Sequence, residues 1–277
     1  MNYYEVDFVL NPLLPAREVL VAELADLGFE SFVETDNGVK AYIVESDFNT
    51  SLLEGLMTSE IEGQQLTHTV QLIQDQNWNA EWEKNFDPII VDESCLVRAP
   101  FHTNLPSFQY EIIIEPKMSF GTGHHATTHL VISEMMKQDF AGKQVLDMGC
   151  GTGILAILAI MLGASKADAI DIDQWSYENT LENIERNNVQ GITTILGGAE
   201  VIPSKQYDII LANINRNILV RDMHHYNKAL KQGGTIFFSG FYTHDKPEID
   251  NKSFEFNWKL QSEQSRGEWS VLRYVKP

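Results

Sequence analysis

From residue 143 onward the chain interleaves short, almost uninterrupted apolar runs with longer segments of helical apolar spacing, and this pattern restricts its fold more than any other feature. The runs "KQVLDMG", "KADAIDID", "TTILGG", "YDIILANI" and "GGTIFFSGF" are interleaved with "ILAILAIMLG", "SYENTLENIERNN" and "RNILVRDMHHYNKALK". A strand such as "QVLDM" or "DIILA", apolar at consecutive positions, has both faces buried, as when helices cover both sides of a parallel sheet. The expectation is a doubly wound α/β domain. Its last stretch, "FEFNWKLQSEQSRGEWSVLRYV", reads as two strands and a hairpin, so the final sheet edge should be antiparallel.

The first 75 residues have a different rhythm. "YYEVDFVL" is β-rich, and "PAREVLVAELADLGF" has helical spacing with Pro15 near its start and Gly28 at its end. "SFVETDNGVKAYIVES" gives two strands around Asn37-Gly38, a strong hairpin signal. "NTSLLEGLMTSEIEG" then reads as a helix from an Asn or Thr cap, and "LTHTVQLIQ" as a strand. The order βαββαβ predicts a small α+β ferredoxin-like domain over residues 1–75. Residues 76–116 read as a linker helix, "NWNAEWEKNFDP", with Trp78, Trp82 and Phe86 four apart, followed by short connecting strands. At 277 residues, with 43% hydrophobic and 21% charged, the chain has material for two globular domains.

Ligands of open α/β sheets bind beyond the carboxyl ends of the strands, so the residues just after each strand are the candidates. The first is "DMGCGTGIL". Gly149, Gly151 and Gly153 let a ligand approach the backbone, and the helix from Ile154 points its amino terminus at any carboxylate or phosphate there. Asp147, at the end of the same strand, joins them as a candidate cofactor-binding residue. The spacing is GxGxG, with Ile154 where a dinucleotide fingerprint needs its third glycine, which disfavours NAD. The next strand ends "AIDID", placing Asp171 to accept hydrogen bonds from two ribose hydroxyls. A ligand with a carboxylate at one end and a ribose at the other fits S-adenosylmethionine. The fourth strand closes "DIILANINRN", which places Asn213 at the carboxyl edge. Its amide oxygen there can hold the N–H of an incoming amine, a catalytic positioning role; the alternative is a cap of the helix near Arg216.

The segments "LDMGCGTG", "AIDID", "ILANI" and "PKMSFGTGHHATT", in this order and spacing, resemble the bacterial ribosomal protein L11 methyltransferases. The likeness runs over nearly the whole chain and includes the closing "GEW". It implies a class I, Rossmann-like methyltransferase domain over residues 117–277, using S-adenosylmethionine and no metal. It also implies cofactor binding at Thr128, Gly149, Asp171 and Asn213, with Phe120, Gly121, Thr122 and Gly123 shaping a cover over the pocket. His125 matches the family pattern "GTGxHxTT", whereas His124 and His129 depart from it. The amino-terminal domain would hold the substrate, ribosomal protein L11, and the linker would let the domains reorient. The reaction implied is N-methylation of lysine ε-amines or an α-amine.

The formal net charge of −19 disfavours a nucleic-acid partner, since phosphates are bound by neutralising them, and it favours a Lys-rich protein. The first residues lack a secretory pattern and no apolar run is long enough to cross a bilayer, so a cytoplasmic location is expected; the protein is also expected to be a monomer. Cys95 and Cys150 are too few for a disulfide framework. Methylation of adenine or a glutamine amide is disfavoured, because no Pro-Pro-aromatic segment follows Asn213. Another protein, a small molecule, or a nucleoside-binding module without catalysis remain the alternatives.

Overall fold

The computed structural model describes residues 2–74, 86–116 and 125–277. Two compact units make up the chain, residues 1–85 and 86–277. The linker segment with Trp78 and Trp82 lies outside the described residues, as do Phe120 to Gly123 and His124.

In the first unit the elements are β1 (Tyr3–Asn11), α1 (Ala16–Asp26), β2 (Ser31–Thr35), β3 (Gly38–Val44) and β4 (Gln65–Ile73). The sheet order is β2-β3-β1-β4 with every pair antiparallel, the expected ferredoxin-like arrangement. Alternation along β1 turns Val6, Phe8 and Leu10 toward Ala16, Leu20 and Leu24 of α1, which lie on one stripe of that helix. The hairpin forms, but its turn is Asp36-Asn37, and Gly38 opens β3 opposite Thr35. A Cβ on Gly38 would stand 1.8 Å from the Phe8 carbonyl oxygen, so glycine is required by the neighbouring strand and not by the turn. The helix expected after Asn49 is replaced by two 3₁₀ turns, Thr50–Leu53 and Met57–Glu60. Asn49 does cap the first, accepting the Ser51 N–H at 3.0 Å, but Glu54 turns extended and Gly55 takes φ +74°, which ends the helical run.

The second unit begins with β5 (Ile89–Val91), β6 (Cys95–Arg98) and β7 (Tyr110–Ile113), a three-stranded sheet. There follow α2 (Ala126–Met135), β8 (Gln144–Met148), α3 (Ile154–Met161), β9 (Lys166–Asp171), α4 (Gln174–Arg186), β10 (Ile192–Leu196), β11 (Tyr207–Asn213), α5 (Arg216–Ala229), β12 (Leu230–Tyr242), α6 (Lys246–Glu255), β13 (Lys259–Arg266) and β14 (Trp269–Val275). The seven-stranded sheet has the order β10-β9-β8-β11-β12-β14-β13. Its first five strands are parallel, and β14 runs antiparallel between β12 and β13. Helices α2 and α3 pack on one face through Ile132, Met135, Leu155 and Leu158; α5 and α6 pack on the other through Leu219, Met223 and Ile249. Residues 86–116, read from sequence as part of the connection, belong to this unit: Val91, Cys95, Val97 and Ile112 share the core of α2 and α3. Strands of three or four residues have too little apolar area to form a core of their own. Cys95 and Cys150 are both buried free thiols. Among the described residues no helix is long and apolar enough to cross a membrane.

Candidate active site

The sheet reverses its direction of winding between β8 and β11, and a cleft of about 530 Å³ opens beyond the carboxyl ends of the strands there. Four of the candidates read from the sequence line it: Gly149, Gly151, Asp171 and Asn213. Thr128, Asp147 and Gly153 stand behind the wall.

The glycine loop that follows β8 is shaped by β9 and α4. Gly149, at φ +68°, and Cys150 donate their N–H groups to the Ile170 carbonyl at 2.8 and 3.1 Å, which folds the chain back against β9. Gly151 donates to Asp171 Oδ2 at 2.8 Å, and Asp173 donates its N–H to Asp171 Oδ1 at 3.0 Å. The carboxylate expected to meet a ribose is thus oriented by two backbone donors and keeps further lone pairs toward the cleft. From α4, Thr180 donates its hydroxyl to the Gly151 carbonyl at 2.9 Å, and Asn183 donates Nδ2 to the Thr152 carbonyl at 3.0 Å.

Behind this loop Gly153 caps α3 without a side chain, and Asp147 does the capping from the strand, its Oδ2 accepting the Ala156 N–H at 3.0 Å. Its other oxygen is buried without a partner. Burial pushes the Asp147 carboxyl up to about 7, the Ala156 N–H opposing this and the nearby Asp171 charge adding to it.

Asn213 ends β11 on the cleft wall, and its Oδ1 is buried without a hydrogen-bond partner. The helix cap is Asn215, whose Oδ1 accepts the Ile218 N–H at 3.1 Å, so the capping alternative for Asn213 does not hold. His125, which also lines the cleft, caps α2, its Nδ1 accepting the Thr127 N–H at 3.3 Å and lying 2.8 Å from Thr127 Oγ1. A nitrogen that accepts an N–H carries no proton, so the neutral ring bears its hydrogen on Nε2. Burial lowers the His125 pKa and keeps the ring neutral at pH 7. The His125 ring meets Trp269 edge-on at 4.5 Å, and Trp269 in turn packs on Tyr242 at 4.3 Å. Thr128, next along α2, is fully buried with its hydroxyl unpartnered.

Several wall residues were not anticipated from the sequence. Ile172 and the pair Gly197-Gly198 follow β9 and β10 directly, so the rule used for β8 and β11 reaches them too. Gly240 had no local signal, and Trp269 was marked only by the resemblance of the closing "GEW", without a role. A bulge between Ser239 and Phe241 and the antiparallel return of β14 bring them to the cleft.

Comparison with known proteins agrees with this architecture. A model of the family described as Ribosomal protein L11 methyltransferase (PrmA) matches residues 16–277. The chain belongs to the ribosomal protein L11 methyltransferase family. It is therefore a protein methyltransferase. A family member from Phocaeicola vulgatus, named ribosomal protein L11 methyltransferase, is 42% identical over 279 residues, covering 99% of this chain and 99% of its own. One of the same name from Porphyromonas gingivalis is 45% identical over 263 residues, covering 94% and 91%. The crystal structure of ribosomal protein L11 methylase from Lactobacillus delbrueckii subsp. bulgaricus superposes with a TM-score of 0.65 at 26% identity, covering 69% of this chain and 99% of that one.

Proposed function

We propose that this methyltransferase transfers methyl groups from S-adenosylmethionine to amines of ribosomal protein L11, on lysine side chains or the α-amine. Family membership supports the substrate, and the donor set of the cleft fits the cofactor. The Asp171 carboxylate faces the cleft for a ribose, Ile172 and the Gly197-Gly198 backbone offer an apolar slot for a planar base, and Gly149 and Gly151 let the rest of the cofactor approach the backbone. Bound, the cofactor supplies a methyl group on a positively charged sulfur.

The observation that carries the reading is the orphaned Asn213 Oδ1, a buried acceptor on the cleft wall with no donor of its own. A buried acceptor left unpaired costs about 1–3 kcal/mol, which an amine N–H entering the cleft would recover. That bond fixes the direction of the nitrogen lone pair, and alignment of the two reacting groups is the main source of rate enhancement here. The amine must arrive neutral, although a free lysine has a pKa of about 10.4. His125 is not its base, because Nδ1 is committed to the Thr127 N–H. Among the described residues the three carboxylates on the wall are also engaged, Asp171 by two backbone donors, Asp173 by the Trp175 N–H at 2.7 Å and Asp222 by Arg221 at 2.7 and 2.8 Å. Water carries the proton away.

The remaining candidates, Thr128, Asp147 and Gly153, support the wall from behind, and Phe120 to Gly123 stay assigned to a cover by resemblance. We assign residues 1–74, with thirteen acidic and two basic side chains, to holding the basic protein substrate. Intact-mass spectrometry of ribosomal protein L11, incubated with this enzyme and S-adenosylmethionine, should show gains in whole methyl steps that are absent without cofactor. No gain would overturn the substrate. Asn213→Ala should lower kcat by about tenfold or more, a larger effect than its loss of cofactor affinity; unchanged turnover would end its positioning role.

A further inference from the structure

Single exposed apolar side chains are ordinary on any protein surface. Two at the rim of the cleft are not single. Ile172 and Trp175 are 74% and 70% exposed, and they bracket Asp173, whose carboxylate accepts the Trp175 N–H at 2.7 Å and so caps α4. Ile172, Asp173 and Ser176 all line the cleft. Trp175 therefore sits on the first turn of α4 between two wall residues while its own indole stands outside the cleft. Further along the outer side of α4 come Glu178, Leu181 and Glu185, all exposed, at spacings of three, three and four. No Lys or Arg occurs between Lys166 and Arg186, whereas Asp168, Asp171, Asp173, Glu178, Glu182 and Glu185 do. Of these, Asp168 is paired with Lys205 and Glu182 with Arg186.

We propose that Trp175 and the outer face of α4 form a docking surface for the basic protein whose amines enter the cleft, engaging a Lys- or Arg-rich segment that carries an apolar anchor. The proposal rests on the protein N-methylation reading and adds a second contact surface, on the catalytic unit itself. Tryptophan at the centre of an interface contributes more than any average contact, because it buries a large rigid area and its ring face attracts cations. The acidic residues around it set the sign of the partner. A nucleic acid is repelled by the same field, and a second copy of this chain carries the same net charge of −19. The location supplies the function: a partner held at Trp175 has its neighbouring lysines at the cleft mouth.

Equilibrium binding of fluorescently labelled ribosomal protein L11 to the full chain tests this, with Trp175→Ala, Trp175→Phe and Glu178→Lys compared with wild type. Trp175→Ala should weaken binding by more than about tenfold, and raise KM for L11 to match, while kcat and the calorimetric Kd for S-adenosylmethionine stay unchanged. Trp175→Phe should recover most of the loss. Glu178→Lys should weaken binding and flatten its dependence on salt. Unchanged L11 binding in Trp175→Ala overturns the proposal. So does a cofactor Kd that rises in step, since that would place the indole against the cofactor. Wild-type binding without methylation would sink the reaction assigned above and leave the docking surface standing. Absence of any wild-type binding to L11 would sink the docking surface.

Discussion

A Cβ on Gly149 would stand 2.1 Å from Cγ2 of Ile214, the residue that follows Asn213. The glycine loop and the turn after β11 therefore touch through a position that admits no side chain, at a backbone φ of +68°. Gly149→Ala should cost about 2 kcal/mol or more, from the left-handed backbone and the overlap together, and lower Tm by about 5 °C. Adding Ile214→Ala should return part of that loss by removing the overlap, while the backbone strain stays. Calorimetric melting of both variants measures this, and equal Tm values for them would remove the packing half of the account.

Asn183 is fully buried and joins two distant segments. Its Oδ1 accepts the Glu115 N–H at 3.0 Å beyond β7, and its Nδ2 donates to the Thr152 carbonyl of the glycine loop at 3.0 Å. Asn183→Ala removes both of these bonds, and should destabilise the second unit by about 1–3 kcal/mol. Urea unfolding followed by tryptophan fluorescence is the measurement. A loss below about 0.5 kcal/mol would show that water replaces the amide.

Asp147 gives stability a pH dependence of known sign. The folded carboxyl keeps its proton up to about pH 7, whereas the unfolded one loses it near pH 4. Between those values the folded state binds more protons, so this group makes stability fall as pH rises, with no further change above about 7. Asp147→Asn removes that slope. The unfolding free energy of wild type relative to the variant should decline from pH 4 to 7 and then run parallel. Parallel curves throughout would mean that the carboxyl is ionised in the folded state.

His125 is a helix cap in this fold, and asparagine is an equally good one. His125→Asn should therefore retain activity far above the loss of about 10²–10⁴-fold that removal of a general base brings. The pH profile of kcat should keep its shape, rising with deprotonation of the acceptor amine. A loss in the base range, with the helix intact by circular dichroism, would place His125 in the chemistry.

The sequence determined what depends on neighbours along the chain. Consecutive apolar residues in "QVLDM" and "DIILA" announced buried parallel strands, and the rule that ligands sit after such strands led to Gly149, Gly151, Asp171 and Asn213, which the fold gathers on one cleft. The same rule reaches Ile172 and Gly197-Gly198, which follow β9 and β10 on that cleft. Local spacing failed at residues 49–62, where a polar cap and apolar periodicity suggested a helix that Gly55 interrupts. Tertiary structure alone decided the rest. Gly38 is glycine because β1 runs close beside it, Asp147 titrates high because both faces of its strand are covered, and Trp269 reaches the cleft because β14 returns antiparallel beside β12. Each of these depends on contacts between residues far apart in sequence, and propensity and periodicity carry no information about which distant segment will arrive.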